Sequence, residues 1–464
     1  MRALILGVCL SAAVSAAAAD RVDEHVRAQL TARKLPGAAV AVVQGGRIVK
    51  SAGYGVASLE LSAPVTPQTV FEIGSISKQF TANAILLLVE DGKLRLDDPV
   101  AKYVERTPPA WAAITIRHIL THTAGLADFD TGNIGFSYRR EYTPDEFVAL
   151  LAGQPLHFPP GDRWAYSNAF PLLGSVIERA SGMPYTSFVQ ERIFKKLGLE
   201  SARFKSNGDV VPHRADGYAL VDGQYRHGET LRPAVIAANG GIMMNVLDFA
   251  RWDIAITSGR LLSAESLRIM ADPVRLRDGR TVSHGLGWFV DTFNGHRFGA
   301  HWGTTVTGHS AVIRRYVDAG VTVIVMANLN DDGQAVDAMS KRIADMYVPG
   351  VDIHGLRPAS DRQAAESARL RKILESVAAG DEHDQAPGLA ARLPPPVRER
   401  IGRAVRSATA FEFLGEESVG PLHFNLDPSV VSLRRYRALT PEGPRYLTIR
   451  LTRSGAVTAA LIED

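Results

Sequence analysis

Residues 71–80 read FEIGSISKQF and lead from a loop into a run that stays apolar as far as Glu90. Because the run is apolar almost all the way round and is followed by Asp91-Gly92, it predicts a buried helix over 76–90 with a glycine stop. Ser75 then lies at the helix N-terminus, where free N–H groups and the helix dipole point at its oxygen. The sequence thus predicts an activated hydroxyl at this position.

Lys78 follows Ser75 by one turn of the expected helix and lies on the same face. An amine at that spacing reaches the serine hydroxyl, and burial would favour its neutral form, which accepts a proton. Of the ten lysines in the chain, only Lys78 has a serine three positions earlier. A Ser-x-x-Lys pair alone is equally typical of a helix cap followed by a surface lysine, so further elements are needed.

Two later segments supply those elements. Tyr166-Ser167-Asn168 lies on a loop that follows a Pro-Pro-Gly turn at 159–161. His301-Trp302-Gly303-Thr304 begins an expected strand, and a glycine there lets a substrate backbone lie against the strand edge.

In this order the three elements resemble the serine β-lactamase and penicillin-binding protein superfamily. They are most similar to the branch with class C β-lactamases, D-alanyl-D-alanine carboxypeptidases, D-aminopeptidases and related esterases. The resemblance covers roughly residues 20–330. It implies an α+β fold, an α/β sandwich in which helices flank an antiparallel sheet, with a helical subdomain and a catalytic cleft between the two.

The resemblance also implies an acyl-transfer site. Ser75 would be the nucleophile. Lys78 and Tyr166 would share the general-base and general-acid work, with Tyr166 as a phenolate near two cations, and which of them acts as base in each step is left open.

Four further residues would bind the substrate. Asn168 would hold the substrate amide and Lys78. The backbone N–H groups of Ser75 and Thr304 would form the oxyanion hole, and His301 and Gly303 would line the substrate edge. No metal or organic cofactor is expected.

His301 stands where the superfamily pattern has a lysine. A histidine is largely neutral at pH 7, so recognition of a substrate carboxylate is expected to be weak or pH-dependent. We therefore expect a serine hydrolase acting on D-amino-acid peptides or on esters, with β-lactam hydrolysis ranked third. The alternative from another class is a non-catalytic peptide- or peptidoglycan-binding protein with the same fold.

Other catalytic patterns are disfavoured. The chain contains no G-x-S-x-G, which argues against an α/β-hydrolase. His118 and His122 have a spacing suited to zinc, but Ile119 occupies the position of the glutamate in the zincin motif. Both histidines are therefore interpreted as structural.

Around the motifs, β-rich runs at 37–43 and 47–49 predict a first hairpin, and runs at 312–313 and 321–326 predict a second. Helical patterns fill the sequence between them, so the terminal strands are expected to pair around the buried helix. We predict a hydrolase domain over 20–349, a linker over 350–361 and a small C-terminal α+β domain over 362–464.

The first nineteen residues predict a secretory signal peptide, with a basic start, an apolar run and small residues up to Ala19. The protein is therefore expected to be exported, to the periplasm or outside the cell. Cys9 lies inside this segment, and a lipid anchor on it is the less favoured reading.

The rest of the composition limits the partners. A formal charge of +3 with scattered lysines argues against nucleic acid, and no later run of about 20 apolar residues predicts a membrane span. A small molecule or peptide is the expected partner, and the oligomeric state is left open.

Overall fold

The computed structural model describes residues 20–130, 134–206, 208–229, 235–419 and 429–463. The predicted signal peptide lies outside these residues. The chain divides into two compact units, of which the larger comprises Met1–Gly279 and Ser283–Val348 and the smaller Arg280–Val282 and Pro349–Asp464. No helix in the described ranges is long and apolar enough to cross a membrane.

The strands, in chain order, are β1 (Gly37–Gln44), β2 (Arg47–Ser58), β3 (Ala63–Pro64), β4 (Val70–Glu72), β5 (Arg203–Phe204), β6 (Tyr218–Val221), β7 (Gln224–His227), β8 (Ile242–Asn245), β9 (Val274–Arg275), β10 (Thr281–Val282), β11 (Phe289–Phe293), β12 (His296–Thr305), β13 (His309–Tyr316), β14 (Val321–Ala327), β15 (Leu329–Asn330), β16 (Ala410–Ser418), β17 (Val430–Thr440), β18 (Gly443–Thr452) and β19 (Val457–Glu463).

The helices, in the same order, are α1 (20–32), α2 (Ser77–Glu90), α3 (Ile116–Leu120), α4 (Pro144–Ala152), α5 (Pro171–Ser181), α6 (Tyr185–Val189), α7 (Ala237–Gly240), α8 (Val246–Thr257), α9 (Ala264–Ala271), α10 (Gln334–Tyr347), α11 (Ala364–Ala379), α12 (Leu389–Arg392) and α13 (Pro395–Ser407).

The larger unit is built on a seven-stranded antiparallel sheet with the order β11-β12-β13-β14-β1-β2-β3. β1 pairs with β14, so the first and last long strands of the unit lie side by side at its centre, as the sequence predicts. Every residue of β14 is buried, which means that both faces of this strand are covered. The α8 and α10 helices pack on these central strands.

The α2 helix is the buried helix that the sequence predicts. It is buried from Ser77 to Leu88 and packs against α5, α6 and α7, which belong to the helical part of the unit. A helix that is apolar all round has to be enclosed in this way, because it has no face suited to water. The predicted α+β architecture with a helical subdomain is confirmed.

The smaller unit has helices followed by an antiparallel sheet, as predicted. Its sheet has four strands in the order β16-β17-β18-β19. The apolar residues Leu447, Ile449 and Leu451 alternate along β18 and are buried against Ile373 and Val405 from α11 and α13. This alternation is what a half-buried strand requires, since successive side chains point to opposite faces.

Candidate active site

Ser75 lies in a short 3-10 turn, Gly74–Ile76, that leads into α2. The turn lies directly against β12, and two glycines permit that approach. A Cβ on Gly303 would lie 2.1 Å from the Ile73 carbonyl oxygen, and one on Gly74 would lie 2.6 Å from the Thr304 carbonyl oxygen. Gly74 also has φ +52°, a conformation that glycine adopts at no steric cost.

The β12 strand presents the predicted substrate edge beside this turn. It begins at His296, five residues before the predicted start at His301, so that expectation was wrong. Its pairing with β11 ends at Ala300, and the segment with His301, Gly303 and Thr304 runs on past its partner. This part of β12 therefore has an edge that β11 does not cover.

Lys78 is fully buried and its amine joins three parts of the site. Its Nζ donates to Ser75 Oγ at 2.9 Å, to Asn168 Oδ1 at 3.0 Å and to the Asn239 carbonyl oxygen at 3.4 Å. The predicted nucleophile and the predicted base are thus in direct hydrogen-bond contact.

Burial lowers the pKa of Lys78 to about 7, although the carboxylates of Asp128 and Asp130 act in the opposite direction. An ordinary lysine has a pKa near 10.4. Close to pH 7 this lysine consequently has both a neutral and a protonated population, which a proton acceptor needs if it is to work at that pH.

Tyr166 is the second residue beside the predicted nucleophile. Its side chain is close enough to Ser75 to interact with it, and its ring centroid lies 5.0 Å from Lys78 Nζ. Burial raises the pKa of Tyr166 above the ordinary value, and the Ser75 contact opposes that shift only in part. The phenol is therefore protonated at neutral pH, which argues against the expected phenolate and favours Lys78 as the base.

Asn168 is held on both sides of its amide. Its Oδ1 accepts from Lys78 and from Asn239 Nδ2 at 3.1 Å, while its Nδ2 donates to the two carboxylate oxygens of Asp128 at 3.2 Å each. These contacts fix which way the amide points and connect Lys78 to an acidic group. Sequence reasoning did not single out Asp128.

His301 is 1% exposed, and burial together with the nearby Lys78 keeps its pKa well below the ordinary value. The imidazole is therefore neutral at pH 7. Next to it Trp302 stacks on Phe289, with ring centroids 4.5 Å apart and an angle of 11° between the planes. The predicted substrate edge thus combines a neutral imidazole with an aromatic wall.

His122 holds the loop that carries Tyr166. Its Nδ1 accepts from the Ser167 N–H at 3.1 Å, and its carbonyl oxygen accepts from the Ala165 N–H at 3.0 Å. The His122 ring also lies 4.4 Å from the Tyr166 ring. His118 accepts from the Thr115 N–H at the start of α3. These contacts agree with the structural interpretation of both histidines.

One set of side chains in the described residues is close enough to share a metal ion. It consists of Asp352, His354 and Glu463, which belong to the smaller unit. None of the predicted catalytic residues belongs to this set.

Comparison with known proteins gives matches along most of the chain. A family model described as Beta-lactamase matches residues 22–347. Penicillin-binding protein 4* of Bacillus subtilis (strain 168) is 31% identical over 426 residues, covering 87% of this chain and 88% of that protein. Esterase EstB of Burkholderia gladioli is 34% identical over 207 residues, covering 41% of this chain and 53% of the esterase.

Solved structures with the same fold extend this result. The octameric penicillin-binding protein homologue from Pyrococcus abyssi superposes with a TM-score of 0.61 at 23% identity, over 93% of this chain and 90% of that one. The D-amino acid amidase from Ochrobactrum anthropi SV3 gives a TM-score of 0.60 at 24% identity, over 72% and 97%. From the family match and these relatives, the chain belongs to the beta-lactamase family, in the superfamily of serine β-lactamases and penicillin-binding proteins, and is a serine hydrolase.

Proposed function

We propose that the chain hydrolyses its substrates through a covalent acyl-enzyme on Ser75, with Lys78 as the base that takes the serine proton. The observation that carries this proposal is the 2.9 Å contact between Lys78 Nζ and Ser75 Oγ, made by an amine whose pKa is about 7. A nucleophile and a base within hydrogen-bond reach are the minimum that covalent acyl transfer requires.

In the proposed acylation step, Ser75 Oγ attacks the substrate carbonyl carbon and its proton passes to Lys78. The N–H groups of Ser75 and Thr304 stabilise the oxyanion of the tetrahedral intermediate. The leaving group then departs with a proton from the Tyr166 phenol, which recovers one from Lys78. In the second step a water molecule attacks the carbonyl carbon of the Ser75 ester and gives up one proton to Lys78. The bond between that carbon and Ser75 Oγ then breaks, Lys78 returns the proton to Oγ, and the acid is released from the free serine.

The charges of the site favour particular substrates. His301 is neutral, and the ionisable groups that act on Lys78 are the carboxylates of Asp128 and Asp130. A free carboxylate on the substrate therefore meets no countercharge at the imidazole and is repelled by the acidic pair. We accordingly place esters and amides of D-amino acids first, and β-lactams, which carry a carboxylate, behind them.

The predicted signal peptide adds a location to this proposal. Export would bring the site to the periplasm or the outside of the cell, where D-amino-acid peptides occur in the wall. N-terminal sequencing of the protein recovered from the periplasm tests this point, because cleavage near Ala19 leaves a new N-terminus at or close to Asp20.

Turnover of p-nitrophenyl acetate, D-alanine p-nitroanilide and nitrocefin by the full chain tests the reaction class, together with intact-mass spectra recorded during each reaction. Ser75-dependent turnover of the first two supports the proposal. Faster turnover of nitrocefin would assign a β-lactamase instead. If no acylating probe labels Ser75 in the wild-type protein, the hydrolase proposal fails and the binding-protein alternative replaces it.

A matched pair of peptides tests the substrate charge. N-acetyl-D-alanyl-D-alaninamide should be cleaved with a kcat/KM about tenfold above that of N-acetyl-D-alanyl-D-alanine, because only the second carries a carboxylate. The rate compared is that of cleavage at the D-Ala–D-Ala bond, which both peptides contain. The His301→Lys variant, which introduces a cation, should reduce or reverse the preference, whereas the neutral His301→Gln variant should keep it. Equal preference in the wild type and in His301→Lys would contradict this account.

The pKa of Lys78 predicts a pH profile. Because the base has to be neutral, kcat/KM for the uncharged p-nitrophenyl acetate should rise with pH and level off, with a midpoint near 7. The Asp128→Asn variant loses a carboxylate that raises the pKa of Lys78, so its midpoint should move to lower pH. A midpoint that is the same in Asp128→Asn and wild type would show that another group titrates.

A further inference from the structure

A buried ion pair lies next to the segment that carries Ser75 and is not used by the proposed reaction. Glu72, the last residue of β4, is 2% exposed, and its Oε1 lies 2.7 Å from the Nζ of Lys205, whose side chain is 5% exposed. Arg214 adds a second cation, with Nη2 3.7 Å from the same oxygen. Opposite charges at these distances keep the Glu72 carboxylate ionised.

The other oxygen of Glu72 binds the turn between β12 and β13. Glu72 Oε2 accepts from Thr307 Oγ1 at 2.6 Å. The Thr307 hydroxyl also lies 2.8 Å from Thr305 Oγ1, which accepts from the His309 N–H at 3.1 Å. Hydrogen bonds to an ionised acceptor are roughly twice as strong as those between neutral groups. The carboxylate thus holds a turn whose own ends are joined through Thr305.

This bridge connects the two backbone segments that carry the proposed oxyanion-hole donors. Glu72 comes three residues before Ser75, and Thr307 comes three residues after Thr304. Between these points the segments are in close backbone contact, since a Cβ on Gly303 would lie 2.7 Å from the Ser75 nitrogen. The Glu72–Thr307 hydrogen bond therefore adds a side-chain link between the segment of Ser75 and the strand of Thr304.

An oxyanion hole depends on the placement of its donors. Each N–H has to lie about 2.7–3.1 Å from the position that the oxyanion will occupy. A displacement of about 1 Å at a reacting group costs on the order of 100-fold in rate. A link that keeps the β12–β13 turn from moving away from the Ser75 segment keeps both donors within that tolerance.

We propose that Glu72 is a positioning residue, which fixes the Ser75 and Thr304 N–H groups relative to one another through its hydrogen bond to Thr307. Glu72 does not touch the substrate and supplies no proton. The inference rests on the proposed function, because the two N–H groups act as oxyanion donors only if Ser75 is the nucleophile.

A pair of esters measures the oxyanion hole. p-Nitrophenyl acetate and its thiono analogue, in which sulfur replaces the carbonyl oxygen, release the same p-nitrophenolate. Sulfur is larger and accepts hydrogen bonds more weakly, so the thionoester gains little from the two N–H donors. The ratio of kcat/KM for the ester to kcat/KM for the thionoester therefore reports how well the donors are placed.

The Thr307→Val variant removes the hydroxyl that Glu72 binds and leaves the Glu72–Lys205 pair in place. Its ester-to-thionoester ratio should fall about tenfold below that of the wild type, which is part of the roughly 10²–10³-fold that loss of a whole donor costs. Thr307→Ser keeps the hydroxyl and should keep the wild-type ratio. An unchanged ratio in Thr307→Val, or a ratio in Thr307→Ser as low as that in Thr307→Val, would overturn the positioning role.

Glu72→Gln tests the carboxylate itself. It removes the charge that strengthens the hydrogen bond to Thr307, so its ratio should fall at least as far as that of Thr307→Val. Asp337→Asn is the matched control, because Asp337 is a carboxylate on α10 that pairs with the buried Arg314. This control should be less stable than the wild type and keep the wild-type ratio. A wild-type ratio in Glu72→Gln, or an equal fall in Asp337→Asn, would contradict the assignment of Glu72.

The outcomes separate this inference from the proposed function. Turnover that survives in Ser75→Ala refutes the acyl-enzyme and, with it, the oxyanion hole. Turnover that depends on Ser75 while Thr307→Val keeps the wild-type ratio refutes the positioning role alone and leaves the acyl-enzyme in place.

Discussion

The Ser75→Ala variant is expected to lose turnover of p-nitrophenyl acetate and D-alanine p-nitroanilide by ~10⁶-fold, as removal of the nucleophile does in a serine hydrolase. No other group can take its place on the proposed route, because Oγ is the atom that forms the acyl bond. Lys78 would keep its hydrogen bonds to Asn168 and to the Asn239 carbonyl oxygen, so the site should otherwise stay assembled. Initial rates measure the loss of turnover, and intact-mass spectra recorded after substrate addition measure the loss of the acyl-enzyme.

Ser77→Ala is the matched control for this variant. Ser77 is buried two residues further along, and its Oγ accepts from the Ile242 N–H at 3.1 Å. Removal of that acceptor leaves a buried N–H unpaired, which costs about 1–3 kcal/mol of stability. We expect Ser77→Ala to be less stable and still active, and Ser75→Ala to be stable and inactive. Turnover by Ser75→Ala within tenfold of the wild type would refute the acyl-enzyme.

Local patterns in the sequence predicted the parts of the site that depend on spacing along the chain. One helical turn brings Lys78 to Ser75, and the structure places these atoms in contact. The alternation at Leu447, Ile449 and Leu451 predicted a half-buried strand in the same way, because the two-residue period of a strand is visible without any tertiary information.

Groups that meet only in the folded chain could not be predicted from such patterns. Asp128 reaches Asn168 across 40 residues, and no local signal marks the aspartate as a partner of the amide. The direction of the Tyr166 pKa shift likewise depends on burial by the surrounding chain, and the expectation of a phenolate gave too little weight to that burial.

The predicted start of β12 was too late in the sequence, and the turn before the strand explains the error. Asn294 and Gly295 both have positive φ values and connect β11 to β12, with Phe293 paired to His296. An Asn-Gly pair with this conformation is the favoured two-residue hairpin turn. The strand therefore begins directly after the turn, and the polar residues at its start reflect its partly exposed pairing with β11.

The Lys78→Met variant is expected to lose about 10⁴-fold in turnover, because it removes the proton acceptor while preserving the length of the side chain. Lys78→Arg is the control that separates charge from proton transfer. A guanidinium keeps the positive charge but is not deprotonated in proteins, so Lys78→Arg should be as inactive as Lys78→Met. Substantial activity in Lys78→Arg would mean that a cation at this position is sufficient, and Lys78 would no longer be assigned as the base.

The Lys78→Met variant should also be more stable than the wild type. The pH dependence of this difference in the free energy of unfolding identifies its cause. The pKa of Lys78 is about 7 in the folded protein and near 10.4 in the unfolded chain. Between these values the unfolded state binds more protons, so the free energy of unfolding of the wild type rises with pH across this window. Below pH 7 the folded wild type has to bury a protonated amine, a cost that methionine does not have.

Urea unfolding at pH 6 and at pH 10 measures this difference. The free energy of unfolding of Lys78→Met should exceed that of the wild type most at pH 6. The difference should become smaller towards pH 10, where the lysine is largely neutral in the folded state and is losing its proton in the unfolded state. Asn168 Oδ1 stays satisfied in the variant, since Asn239 Nδ2 continues to donate to it. If Lys78→Met is less stable than the wild type at pH 6, the Lys78 side chain contributes more to the stability of the fold than its buried protonated amine costs.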